Sequence, residues 1–108
     1  MSRSDVAAAL AQAGMPVVYY KWPEGAEPTF PCIRYVSLGS NDLYADNRSY
    51  GKVDRWSATL VSEWKDDASE AALEAALDGA GIAYAKQPDY YADSERLNHV
   101  EYRFELPR

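Results

Sequence analysis

Apolar and polar residues alternate most regularly near the end of the chain. In "HVEYRFELP", Val100, Tyr102, Phe104 and Leu106 interleave with His99, Glu101, Arg103 and Glu105. A period of two predicts a strand with one face on a core and the other in water. The stretch 52–64 follows the same rule: Trp56, Ala58, Leu60 and Trp64 oppose Arg55, Ser57, Thr59 and Glu63, with Ser62 and Val61 out of phase. Shorter runs rich in β-branched and aromatic residues predict strands at "VVYYKW" (17–22), "CIRYVSL" (32–38) and "IAYAKQ" (82–87).

Two segments follow a helical period instead. In "DVAAALAQA", Val6, Leu10 and Ala13 form one stripe, with Ser4 as the expected cap and Gly14 and Pro16 as stops. Asp67 is expected to open the second helix, with Glu70 in capping-box position; Ala72, Leu73, Ala76 and Leu77 form its apolar stripe. Glu70, Glu74 and Asp78, at i, i+4 and i+8, read as its solvated face. "PEGAEPTFP" (23–31) reads as a loop, and "PDYYADSERL" (88–97) as a connection or an irregular edge. The predicted order is α-β-β-β-α-β-β. Strands with one wet face imply an α+β two-layer sandwich, a mostly antiparallel sheet with two helices on one face.

Length and composition narrow the function classes. At 108 residues the chain is one domain. Seventeen Asp and Glu against eleven Lys and Arg give a charge of −6, with no basic cluster, which argues against sequence-specific nucleic-acid binding. Cys32 is the single cysteine, so no intramolecular disulfide can form. With His99 as the single histidine, no metal or catalytic constellation assembles, and no phosphate-cradling glycine motif is present. His99 is expected to face solvent. No apolar run approaches the length of a membrane span. These observations recommend no cofactor, no metal and no catalytic residue.

The aromatics are the other unusual feature, with nine tyrosines and three tryptophans. Trp56, Tyr102 and Phe104 read as core. The stretch "DLYADNRSYGKVDRW" differs, because Tyr44 and Tyr50 flank a run too polar to be buried in its own domain. Tyr44, Asp46, Asn47, Arg48, Tyr50 and Lys52 have the composition of a protein interface, carried on an extended loop or arm at 39–54.

The ordered set of short motifs, from roughly Pro16 onward, resembles a family of phage and prophage minor tail proteins, of tail-completion or tail-terminator type. The motifs are Tyr44 to Asn47 with Tyr50 and Lys52, the strand ending in "WKD", a Glu/Leu helix, Tyr84-x-Lys86 with Tyr90, Ser94 to Leu97, and Tyr102 to Glu105. The resemblance implies a structural, non-enzymatic protein that uses no cofactor. It implies assembly with itself as a ring, typically a hexamer, on the head-proximal end of the tail tube. Its partners there are the major tail tube protein and the head–tail connector protein. It also implies assembly in the host cytoplasm and a final place in the virion tail. Two alternatives remain open: another head–tail joining or tail assembly component, and a small ligand-binding α+β domain.

Overall fold

A computed structural model describes residues 2–22, 29–40, 43–45, 48–51 and 53–107, with the backbone alone at 43–45 and 48–51. The chain forms α1 (Arg3–Ala11), β1 (Val17–Tyr19), β2 (Cys32–Ser40), β3 (Leu43–Ala45), β4 (Arg48–Gly51), β5 (Val53–Ser62), α2 (Asp67–Gly79), β6 (Ala85–Lys86), β7 (Tyr90–Ala92) and β8 (Leu97–Pro107). The expected α+β architecture is present, with a mostly antiparallel sheet and two helices. Within it, the 82–87 segment contributes only the two residues of β6, and the 88–97 segment adds β7.

The main sheet runs β1-β2-β5-β8-β6, and β7 pairs with β8 along the same edge as β6. Its centre is antiparallel: Ile33 faces Leu60, Tyr35 faces Ala58, Leu60 faces Val100 and Trp56 faces Phe104. The edge pair β1–β2 is parallel, with Val17 opposite Ile33. The intervening segment 20–31 provides the long return that a parallel pair needs. β3 and β4 pair only with each other, as a separate two-stranded sheet between β2 and β5.

Alternation places Ile33, Tyr35, Trp56, Ala58, Leu60, Val100, Tyr102, Phe104 and Leu106 on one face, where they form a single core with Val6, Leu10, Leu73 and Leu77 of the helices. Tyr102 is fully buried at its centre. Tyr19, Tyr35 and Trp56 form an aromatic row across three strands, with centroid separations of 5.1 and 6.3 Å. Such cross-strand ring pairs hold register as well as burying area.

The second helix starts at Asp67 as expected, but both helix caps lie one or two residues earlier than the sequence reading expects. Ser2, not Ser4, caps α1: its hydroxyl accepts from the Asp5 amide at 3.3 Å, and the Asp5 carboxylate accepts from the Ser2 amide at 2.8 Å. Asp66, not Asp67, caps α2 by accepting from the Ser69 amide at 3.0 Å. In each case a better-placed acceptor one turn ahead of the amide wins. Gly14 and Gly81, at φ of 78° and 73°, turn the chain out of the helices in the left-handed region that glycine adopts without strain.

The radius of gyration is 14.9 Å, against about 13 Å for a compact chain of this length. The longest principal extent is 49 Å, of which strands of ten and eleven residues span about 33–36 Å. Burial fades toward the end of β2, so that Ser37 to Ser40 are exposed. Because Leu77 is fully buried between the layers, Leu77→Ala is expected to cost about 2–4 kcal/mol of stability, read from urea unfolding followed by circular dichroism.

Candidate protein-interaction surface

The expected interface residues lie on or beside the hairpin. Tyr44 sits in β3 opposite Ser49, and Arg48 and Tyr50 sit in β4, with Arg48 opposite Ala45. Asp46, Asn47 and Lys52 lie outside the described residues. The register shifts between Leu43 and Tyr44, which leaves Tyr50 as the extra residue of the second strand. The hairpin has no extensive packing on any other element among the described residues.

The face of the main sheet turned away from the helices is a second candidate surface, which the alternation pattern implies but does not shape. Arg34, Val36 and Leu38 of β2, Ser57 and Thr59 of β5, and His99 and Glu101 of β8 line an open groove of about 570 Å³, walled by Tyr90. At the Cys32 end it continues into a smaller pocket of about 160 Å³ among Trp22, Phe30, Cys32, Val61 and Leu97, rimmed by Arg34, Glu95 and His99. The apolar Val61, out of phase with its strand, is explained here: it is buried under this end of the face rather than exposed.

Charges on this face are mostly matched. Glu101 accepts from the Ser57 hydroxyl at 2.6 Å and pairs with Arg103 at 3.1 Å. Arg55 donates to the Leu38 carbonyl at 3.2 Å. His99 is half-buried instead of free in solvent: its Nε2 is 3.0 Å from Glu95 Oε1, and its ring lies 6.1 Å from that of Tyr90. Arg34 is exposed in the groove, and with Val36 it also lines a separate pocket beside Tyr20, which is 60% exposed. Burial raises the Cys32 thiol, which keeps it in the unreactive protonated form.

The helix side corrects a sequence expectation. Glu70 and Glu74 do not form a solvated face. Glu70 is 3% exposed, with Lys86 Nζ on one oxygen and Lys65 Nζ on the other, each at 2.8 Å. Glu74 is half-buried, accepts from the Tyr102 hydroxyl at 2.7 Å and meets Lys86 at 3.0 Å, with the Tyr84 hydroxyl at 3.4 Å. Lys65 also reaches Asp89 at 2.7 Å. Asp78 alone remains exposed as expected. Helical spacing cannot distinguish a wet carboxylate from one facing lysines that arrive from other elements. The motif residues Lys65, Tyr84, Lys86 and Tyr102 thereby meet in one network that binds α2 to the sheet.

No protein-family profile matches the chain, and no curated protein matches it. Its fold is similar to that of a chain in the virion of a native gene transfer agent (GTA) particle. The TM-score is 0.54, with 14% identity, over 94% of this chain and 86% of the other. At that identity the likeness is one of fold.

The network sets the pH response. The Tyr102 hydroxyl, with help from Lys86, holds Glu74 below its ordinary value of 4.5, and Lys65 holds Asp89 below 3.8. Depressed carboxylates contribute stability that is complete above those ordinary values and lost as pH falls through the lowered ones. Hydrogen bonds to Glu70 and Glu74 raise Lys86, and those to Asp89 and Glu70 raise Lys65, above 10.5. That contribution is complete below 10.5 and lost as pH climbs past it. The unfolding midpoint is therefore expected to be flat between about pH 6 and 9 and to fall below about 4.5. Tyr102→Phe removes one charge-assisted hydrogen bond and is expected to cost about 2 kcal/mol at neutral pH, and less at pH 3, in parallel urea titrations.

Proposed function

We propose that this protein is a structural component of a phage-like virion, and within it a tail terminator. The observation that carries the reading is the likeness of fold, along nearly the whole chain, to a chain of a gene transfer agent virion. The resemblance of the ordered motifs to those of tail-completion proteins suggests the finer assignment. In this reading the protein assembles with itself as a ring, a hexamer, on the head-proximal end of the tail tube. There it stops addition of tube subunits and offers a surface to the head–tail connector.

The physical features fit such work. A hairpin at the end of long strands, whose described backbone has no extensive packing on another element and whose sequence has two tyrosines and an arginine, can bury large contact area against a neighbour. No catalysis and no cofactor enter this role, and the acidic balance suits a ring through which DNA passes without adhering.

Deleting the gene from its phage or prophage, inducing, and imaging the lysate by electron microscopy tests the proposal. A terminator predicts over-long, headless tubes beside unattached filled heads. Tails of normal length that fail to join heads would make it a connector component instead, and normal infectious particles would overturn the virion reading. In the same assay, Tyr44→Ala with Tyr50→Ala is expected to leave the melting temperature unchanged and to abolish complementation. Loss of about 2 kcal/mol or more at such an interface weakens association roughly 30-fold.

A further inference from the structure

We infer that the groove on the helix-free face of the sheet is the seat for the β3–β4 hairpin of a second copy of this chain. The inference rests on the assembly reading above and gives it a specific contact. Among the described residues, the hairpin backbone has no extensive packing on another element, and the helix-free face of the sheet carries a long open groove.

The pocket at the end of the groove is suited to one aromatic side chain. Its volume of about 160 Å³, lined by Trp22, Phe30, Val61 and Leu97, matches the roughly 150 Å³ apolar cavity that accepts a benzene ring. Buried anchors of this kind are enriched in tyrosine, and the hairpin carries Tyr44 and Tyr50. At the rim, the exposed Arg34 guanidinium offers donors to a carboxylate arriving with that ring, and the segment around Tyr44 includes Asp42 and Asp46.

Reach decides that the occupant belongs to another copy. The pocket lies at Cys32 and Val61, whereas the hairpin departs from Ser40 and returns at Val53, at the opposite ends of the same strands. Eight residues of strand separate Cys32 from Ser40, about 26 Å. Tyr44 is four residues past Ser40, about 13 Å of extended chain, and Tyr50 is three residues before Val53, about 10 Å. Neither ring bridges the remaining distance within its own chain. A donor at one end and an acceptor at the other make a head-to-tail contact, which closes into a ring when the rotation allows.

Disulfide trapping tests this. In a Cys32→Ser background, one preparation carries Ala45→Cys, which leaves both hairpin tyrosines in place, and a second, of distinguishable mass, carries Glu95→Cys at the exposed rim of the pocket. The two are mixed and oxidised, both as purified protein and in particles assembled from them. The expected product is the mixed 45–95 dimer, in at least about tenfold excess over either like-with-like dimer. Placing both cysteines in one chain should give a ladder of higher multimers, and adding Arg34→Glu should cut the yield about tenfold without changing the melting temperature.

Absence of the 45–95 product in both preparations, or predominance of 45–45 or 95–95 dimers, would overturn the contact. If tails still end at normal length in particles lacking the product, the docking fails while the terminator reading stands. If deleting the gene leaves normal particles but the mixed dimer forms, the terminator reading fails while the docking stands.

Discussion

The carboxylate of Glu70 lies buried between the ammonium groups of Lys65 and Lys86, and the seating of α2 on the sheet follows from that arrangement. A carboxylate this far from water is costly unless it is paired and hydrogen-bonded, and here a lysine ammonium sits on each oxygen. Lys65 comes from the β5–α2 connection and Lys86 from β6, so the condition binds three elements at once. Glu74, one turn along, adds Tyr102 at the centre of β8. Apolar burial supplies most of the free energy of folding, but it is non-directional. The ion pairs and the tyrosine hydroxyl select one rotation and one height for the helix.

That rigidity has a counterpart at the far end of the strands. β2 and β5 leave the helix layer and carry the hairpin away from the core, so its backbone is ordered by its own ladder more than by packing. Contact surface placed on such a projection is available to a neighbour at little cost to the fold. The helix-free face is the opposite case, a rigid surface whose charges are largely paired within the chain. A projecting donor and a preformed acceptor is an economical division for assembly, because little reorganisation of the acceptor is needed on binding.

Much of the architecture was legible in advance. The clean alternation of Val100, Tyr102, Phe104 and Leu106 made β8 unmistakable, and the same period located β5. The stripes of Val6 and Leu10, and of Leu73 and Leu77, placed both helices on one core. The caps were misread by one or two residues because adjacent candidates, Ser2 with Ser4 and Asp66 with Asp67, are chemically equivalent in sequence and differ only in which amide they meet. β6 was overestimated because "IAYAKQ" has strand composition, while the sheet has room to pair only two of its residues. The pocket at Cys32 left a faint sign in the out-of-phase Val61, and the groove left none.

By itself the sequence determined the layering: which residues turn inward, that one sheet face is covered by two helices, and that no disulfide holds the chain. Periodicity carries this information because side-chain direction repeats with the backbone, every two residues in a strand and every 3.6 in a helix. Only the tertiary structure decided which charges are buried and which elements share them. Glu70, Lys65 and Lys86 are separated along the chain and carry no local mark of their meeting. It likewise decided that the hairpin and the pocket stand at opposite ends of the same strands, because distance through space is set by how the strands are laid side by side.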